Sequence, residues 1–144
     1  MFVVKAGRKK KIIGRREPVD FPDLGLYGLT AKIDTGAYTS ALHCQKVRVE
    51  GDKLYFRLLD ETHPEYNDRE YCFTDFIRKS FKNSFGEQED RYVVKTRIRL
   101  GSKTILCHIS LSDRAGMRYP VLIGRRLIKG RFLVDVSELF TLVH

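Results

Sequence analysis

The sequence predicts an all-β fold, a sandwich or a closed barrel, on three observations. Short segments alternate apolar and polar side chains, the period at which a strand presents two faces. Turn residues interrupt these segments at short, regular intervals. One brief stretch near the carboxyl end carries the sole convincing helical pattern. At 144 residues, with 42% hydrophobic and 31% charged residues, the chain is expected to form one domain, residues 1–144, with a core of its own.

The elements follow in order. Gly7-Arg8-Lys9-Lys10-Lys11 and, beyond Ile12-Ile13-Gly14, Arg15-Arg16 carry no interleaved aromatic residue. They read as a solvated terminus beside a short strand sooner than as an arm for phosphates. Pro18 and Pro22 keep residues 17–24 extended or turning. Residues 26–33 alternate, with Leu29, Ala31 and Ile33 on one face. Ser40 to Cys44 re-enters a strand, and residues 45–50, with Val47 and Val49 inward, meet residues 53–59 across Glu50-Gly51-Asp52. Leu54, Phe56 and Leu58 share the buried face of that hairpin. Residues 60–70 hold Pro64 and read as a loop. Residues 71–77 alternate again, and the polar residues 78–90, with Gly86 near their middle, form the tip of a long hairpin suited to covering a cleft. In residues 91–100, Tyr92, Val94, Thr96, Ile98 and Leu100 face one way and Lys95, Arg97 and Arg99 the other. Gly101-Ser102 turns the chain back into residues 103–111, residues 112–118 form a loop, and residues 120–123 a short buried strand. A helical turn over residues 125–129 is closed by Gly130, after which Phe132, Val134 and Val136 alternate.

The chain is organised around Ala31-Lys32-Ile33-Asp34-Thr35-Gly36-Ala37, an alternating strand that ends on an acid and breaks at a glycine. Such a turn holds a carboxylate within reach of backbone N–H groups. The same residues also suit an ordinary hairpin end. The net charge of +9 points to acidic partners without choosing among nucleic acid, anionic lipid and acidic peptide. No apolar run approaches the ~20 residues of a membrane span, and the amino terminus lacks the apolar core of a secretory signal. Cys44, Cys72 and Cys107 cannot all pair with one another, which suits a reducing compartment. A soluble cytoplasmic chain without membrane contact is expected.

Rival chemistries have weaker support. A zinc hydrolase of the H-E-x-x-H type needs two imidazoles on one helical face, and no such motif is present. A composite metal site would draw on His43, His63, Cys72 or His108, but these residues read as ordinary thiols and polar-face histidines, so no metal is expected. Ser40, His43 and Cys44 lie close together, yet without a G-x-S-x-G elbow. The non-enzymatic alternative is a basic β-barrel module for nucleic acid or another acidic polymer. Against it, Lys95, Arg97 and Arg99 have the look of a solvated sheet face.

Asp34-Thr35-Gly36-Ala37, the mid-chain hairpin, and Val121-Leu122-Ile123-Gly124-Arg125 before a short helix together resemble the retropepsin family of aspartic proteases. Within it the chain is most similar to the small bacterial and archaeal group once labelled ATP-dependent zinc proteases. Ile13-Gly14-Arg15-Arg16-Glu17, residues 34–43 and residues 118–136 carry that likeness. The resemblance implies a closed acid-protease barrel of about six to eight strands with one short helix near the carboxyl end and one half-site per chain. It implies an aspartic endopeptidase, needing no cofactor, that acts as a homodimer. Two Asp34 carboxylates would share one proton to activate water. Thr35 would bond across the two-fold axis, Gly36 would let its N–H approach the acid, and Ala37 would line the cleft floor. Ser84, Phe85 and Gly86 would form the flap tip. Gly124 would let a short strand pass under the loop. The matching arginine of retropepsins pairs with an acid just after Asp-Thr-Gly-Ala, but that position here is Tyr38, so the resemblance does not carry over that ion pair and the partner of Arg125 is open, with Glu17 and Asp135 as candidates. The excess of cations favours acidic peptides, and the proximity of relatives to ligases that append glutamates implies a link to an ATP-grasp glutamate ligase.

Overall fold

The computed structural model describes residues 10–82, 85–113 and 118–142. Eleven strands are present among them: β1 (Lys11–Ile13), β2 (Arg16–Phe21), β3 (Leu26–Ile33), β4 (Ser40–Glu50), β5 (Lys53–Leu58), β6 (Glu70–Phe73), β7 (Phe76–Lys82), β8 (Gln88–Leu100), β9 (Lys103–Ser112), β10 (Val121–Ile123) and β11 (Phe132–Val134). A 3-10 turn at Pro22–Leu24 links β2 to β3, and the short helix α1 (Arg125–Ile128) follows β10.

Six strands close on themselves in the order β10-β3-β2-β8-β9-β4, with β4 returning to pair with β10. Closure leaves the ring without an edge and places every second side chain inside. Phe21, Leu29, Ala31, Leu42, Ile98, Ile109 and Ile123 are fully buried there. Each of the larger ones stabilises the fold by about 1.5–3 kcal/mol on the usual transfer scale. The alternation expected of β3 and β8 is observed: Leu29, Ala31 and Ile33 point inward, as do Val94, Thr96, Ile98 and Leu100.

The strand β10 is short but central. It runs parallel to β3, with Ile123 beside Ile33, and antiparallel to β4, with Leu122 beside Ala41. It therefore fills the gap that opens between β3 and β4 where the chain leaves to form the Asp34 loop.

Three readings of the sequence need correction. Residues 40–50 form one strand, not two, and Val47 and Val49 are exposed instead of inward. A bulge between Gln45 and Arg48, with Lys46 at φ 55°, shifts the register, which alternation alone could not reveal. Residues 71–77 are split at Thr74-Asp75 into β6 and β7, and β7 pairs with β8 from Phe76 opposite Val94 to Lys82 opposite Gln88. Val136 lies beyond β11 and is 71% exposed. The cationic start of the chain, Gly7 to Lys9, lies outside the described residues.

Outside the barrel, β1 and β11 pair in parallel, and residues 135–142 run back along residues 12–17. The knot of this arrangement is Glu17, fully buried on β2. Its carboxylate accepts hydrogen bonds from Gly14 N (2.7 Å), Thr141 N (3.1 Å), Thr141 Oγ1 (2.7 Å) and Leu142 N (3.0 Å). Four donors replace the water that a buried carboxylate gives up.

Candidate active site

Asp34 stands where β3 ends, and its loop is held by neighbours on both sides of β10. Asp34 N donates to Ile123 O at 2.8 Å, and Ala37 N donates to Asp34 O at 3.2 Å. From the other side, Arg125 N reaches Ala37 O at 2.7 Å and Arg126 N reaches Tyr38 O at 3.0 Å. The first N–H groups of α1, which a helix leaves without internal partners, are thus satisfied by the loop carbonyls. The carboxylate is partly exposed, and its Oδ1 accepts from Gly36 N at 2.9 Å.

Both glycines are explained by space. A Cβ on Gly36 would lie 3.1 Å from Asp34 Oδ1, crowding the approach that brings its N–H to the acid. A Cβ on Gly124 would lie 2.7 Å from the carbonyl carbon and oxygen of Thr39 and from Tyr38 O. Only a residue without a side chain allows β10 to run this close beneath the loop.

Arg125 pairs with neither Glu17 nor Asp135. Its Nη1 donates to Thr35 O at 2.9 Å, and its guanidinium lies 5.9 Å from the Tyr38 ring centroid. The residue standing where retropepsins carry an acid thus offers an aromatic face to the same cation. Glu17 is committed to the clasp described above, and Asp135 accepts from Ser137 N and Ser137 Oγ.

The structure brings Asp34, Thr35, Gly36, Ala37, Gly124 and Arg125 together. Phe85 and Gly86 lie at the turn between β7 and β8, Phe85 being 87% exposed, and Ser84 lies outside the described residues. Reading the sequence missed Ser40 as a support: it is buried, and its Oγ accepts from Gly124 N at 3.0 Å. The available signal was a hydroxyl immediately after the loop, where it can reach a backbone donor of the strand crossing beneath.

The residues named for rival chemistries have other surroundings among the described residues. Cys44 and Cys107 are buried free thiols, each pushed up to about 12, Cys44 by burial and then by Asp113, Cys107 by burial, so neither is a nucleophile near neutrality. His43 Nε2 lies 2.7 Å from Asp60 Oδ2, and His63 Nδ1 accepts from Glu65 N. Among the described residues, no three histidine, cysteine or acidic side chains gather to hold a metal. On the outer barrel face Arg97 is engaged by Asp23, which holds that carboxyl below its ordinary range. Among the described residues no helix is long and apolar enough to cross a membrane.

A family model described as retropepsin-like aspartic endopeptidase RimB matches residues 12–143. The chain belongs to this RimB-like family. Among RimB-like chain's relatives, a protein of Shewanella pealeana named "Probable alpha-L-glutamate ligase" is 36% identical over 140 residues, covering 92% of this chain and 30% of that protein. A protein of the same name from Desulfotalea psychrophila is 34% identical over 133 residues, covering 88% and 28%. The RimB-like chain therefore spans less than a third of the length of these curated relatives. It is also similar to the crystal structure of a Legionella pneumophila protein of unknown function, with a TM-score of 0.72 and 28% identity over 94% of this chain and 100% of that one.

Proposed function

We propose that this RimB-like chain is an aspartic endopeptidase whose active form is a homodimer. The observation that carries the reading is the Asp34 loop: one carboxylate, held by Gly36 N at 2.9 Å on a loop fastened to β10 and α1. Aspartic proteolysis needs two such acids sharing a proton, one ionised to activate water and one protonated to polarise the scissile carbonyl. A chain with one Asp-Thr-Gly supplies half of that pair, and a two-fold axis supplies the other half. Thr35, Gly36 and Ala37 support the acid, the β7/β8 hairpin with Ser84, Phe85 and Gly86 covers the substrate, and Gly124 and Arg125 hold the loop from below.

An apolar face favours self-association. Ile12 and Leu133 are register partners, 52% and 53% exposed, and Val136, Leu139 and Phe140 extend the exposed apolar surface beside them. A second copy removes this surface from water.

The substrate is a peptide rich in carboxylates, matched to the net charge of +9. The relatives named as glutamate ligases suggest where such a peptide arises: this chain acts on polypeptides to which an ATP-grasp ligase has added glutamate. It works in the cytoplasm as one domain spanning residues 1–144.

The test compares the native chain with Asp34→Asn on acidic peptides while sedimentation reports the oligomer. Cleavage by the dimer and its loss in a folded Asp34→Asn dimer are expected. A strictly monomeric chain that still cleaves after Asp34 is replaced overturns the reading.

A further inference from the structure

Two cavities outside the barrel wall meet at His108. The first, about 200 Å3, lies against α1, and its lining includes Ser40, Leu106, His108, Arg126, Leu127 and Arg131. The second, about 210 Å3, lies at the root of the β7/β8 hairpin and is lined by Ile77, Lys95, Asp75 and His108. Lys95 and His108 are direct cross-strand partners on β8 and β9, and the two cavities, which share His108 in their linings, lie side by side and together make up the trough. It runs from the shoulder of the Asp34 loop, where Ser40 ends the loop and Arg126 N holds Tyr38 O, to the strand that carries the hairpin tip.

The charge along the trough is one-sided. Lys95, His108, Arg126 and Arg131 line it, against a single acid, Asp75, at the far end. Arg131 Nη1 is occupied by Leu127 O, while Arg97, one step along the same face as Lys95, is taken by Asp23. The side chains of Lys95 and Arg126 are the cations that converge on the His108 imidazole, which offers a ring N–H between them.

We propose that Arg126, His108 and Lys95 form an outer anion site that receives a carboxylate carried by the substrate several residues from the bond to be cut. A carboxylate is the occupant proposed, and phosphate is the alternative that the experiment tests. Side-chain cations bind both anions, but many phosphate sites add free backbone N–H groups at a helix start or nest. Here the N–H groups of Arg125 and Arg126 are already given to Ala37 O and Tyr38 O. What remains is side-chain cations at one end and the apolar flanks of Ile105, Leu106 and Leu127 leading to them, which fit a carboxylate on an aliphatic stem. Leu106, 65% exposed on the outer face of β9, is the apolar rest for that stem.

The inference rests on the peptidase reading, and the experiment separates the two. Peptides carrying a single Glu at successive positions, with Gln and phosphoserine counterparts, are compared for cleavage by the native chain, His108→Gln and Arg126→Gln/Lys95→Gln. The native chain should favour Glu over Gln at one register by roughly tenfold in kcat/KM, the size of a charge-assisted contact. The substituted chains should lose that preference, read as the ratio of Glu to Gln cleavage within each chain. Retained preference for Glu in the double variant overturns the site, as does an equal or larger preference for phosphoserine. Binding to Asp34→Asn, followed through the His108 imidazole resonances, needs no turnover. If the Glu peptide shifts those resonances and the Gln peptide does not, the site stands even should cleavage fail. If both peptides leave them unmoved, the site falls even should cleavage succeed.

Discussion

Arg125 Nη1 donates to the main-chain carbonyl of Thr35 at 2.9 Å, so the residue that opens α1 holds the peptide unit between Thr35 and Gly36, one step beyond Asp34. Its backbone N–H holds Ala37 O at 2.7 Å in the same loop, and its guanidinium faces Tyr38. One residue thus fixes the Asp34 loop at three places. In a dimeric aspartic protease the spacing of the two acids depends on how firmly each loop is held.

Arg125→Ala removes the side-chain donor and the cation above Tyr38 but leaves the backbone bond. The lost charge-assisted hydrogen bond is worth about 1.5–3 kcal/mol. Peptide hydrolysis is expected to fall by roughly tenfold or more in kcat with little change in KM, because the acid is misplaced and substrate contacts are not. Arg125→Lys, a point charge without the planar fork, should restore only part of the rate. A fall confined to KM would show that Arg125 meets substrate directly.

Gly124→Ala tests the space beneath the loop. The new Cβ would stand 2.7 Å from backbone atoms of Thr39 and Tyr38, which cannot swing aside as a side chain would. The strand or the loop must move, at a cost of about 1–3 kcal/mol. Thermal unfolding should show that loss, and activity should fall further than Arg125→Ala makes it fall. An unchanged melting temperature would mean that β10 and the loop lie farther apart than the structure places them.

Strands β3 and β8 and the position of α1 were legible because a barrel wall with one wet face writes its period directly into the chain. The Asp34 loop was legible as a motif, and Gly124-Arg125 as its partner. What stayed hidden involved long-range partners. The bulge at Lys46 turned Val47 and Val49 outward. Arg125 found a carbonyl and an aromatic ring, neither of which a search for an acid would reveal. Glu17 reads in sequence as a candidate partner for Arg125, and only the return of residues 135–142 explains why it is buried.

His108 offers a pH-dependent signal. Burial holds its imidazole below the ordinary histidine range, Arg126, Lys95 and Lys79 lower it further, and Asp75 acts in the opposite sense. The folded chain therefore takes up this proton less readily than the unfolded chain does. Above the ordinary value, 6.5, both states carry neutral imidazole and the group contributes nothing to the pH dependence. As pH falls below it the unfolded chain is protonated first, and stability declines until the folded midpoint is passed. An imidazole titration followed by NMR should give a midpoint below 6.5 that rises in Arg126→Gln and in Lys95→Gln. Neither variant should reach the ordinary value, since burial remains. A midpoint that drops in either variant would contradict the convergence of these cations on His108.

Glu17 and Thr141 join the two ends of the described chain, and their removal should loosen that region before the barrel. Glu17→Gln preserves shape but replaces one carboxylate oxygen by a donor, so at least one of Gly14 N, Thr141 N, Thr141 Oγ1 and Leu142 N loses its acceptor. A buried donor without a partner costs about 1–3 kcal/mol, a large share of the ~5–15 kcal/mol that holds a typical domain together. Thr141→Val removes one donor from the same carboxylate and should cost about 1 kcal/mol. Because both changes act on one cluster, their combination should cost less than the two added. Urea unfolding measures the sum, and hydrogen exchange locates it: the amides of Thr141 and Leu142 should lose protection in Glu17→Gln while those of Ile98 and Ile109 in the barrel wall keep theirs. Equal loss at all four would mean that Glu17 holds the barrel itself, and no loss at Thr141 would mean that the clasp is not closed in solution.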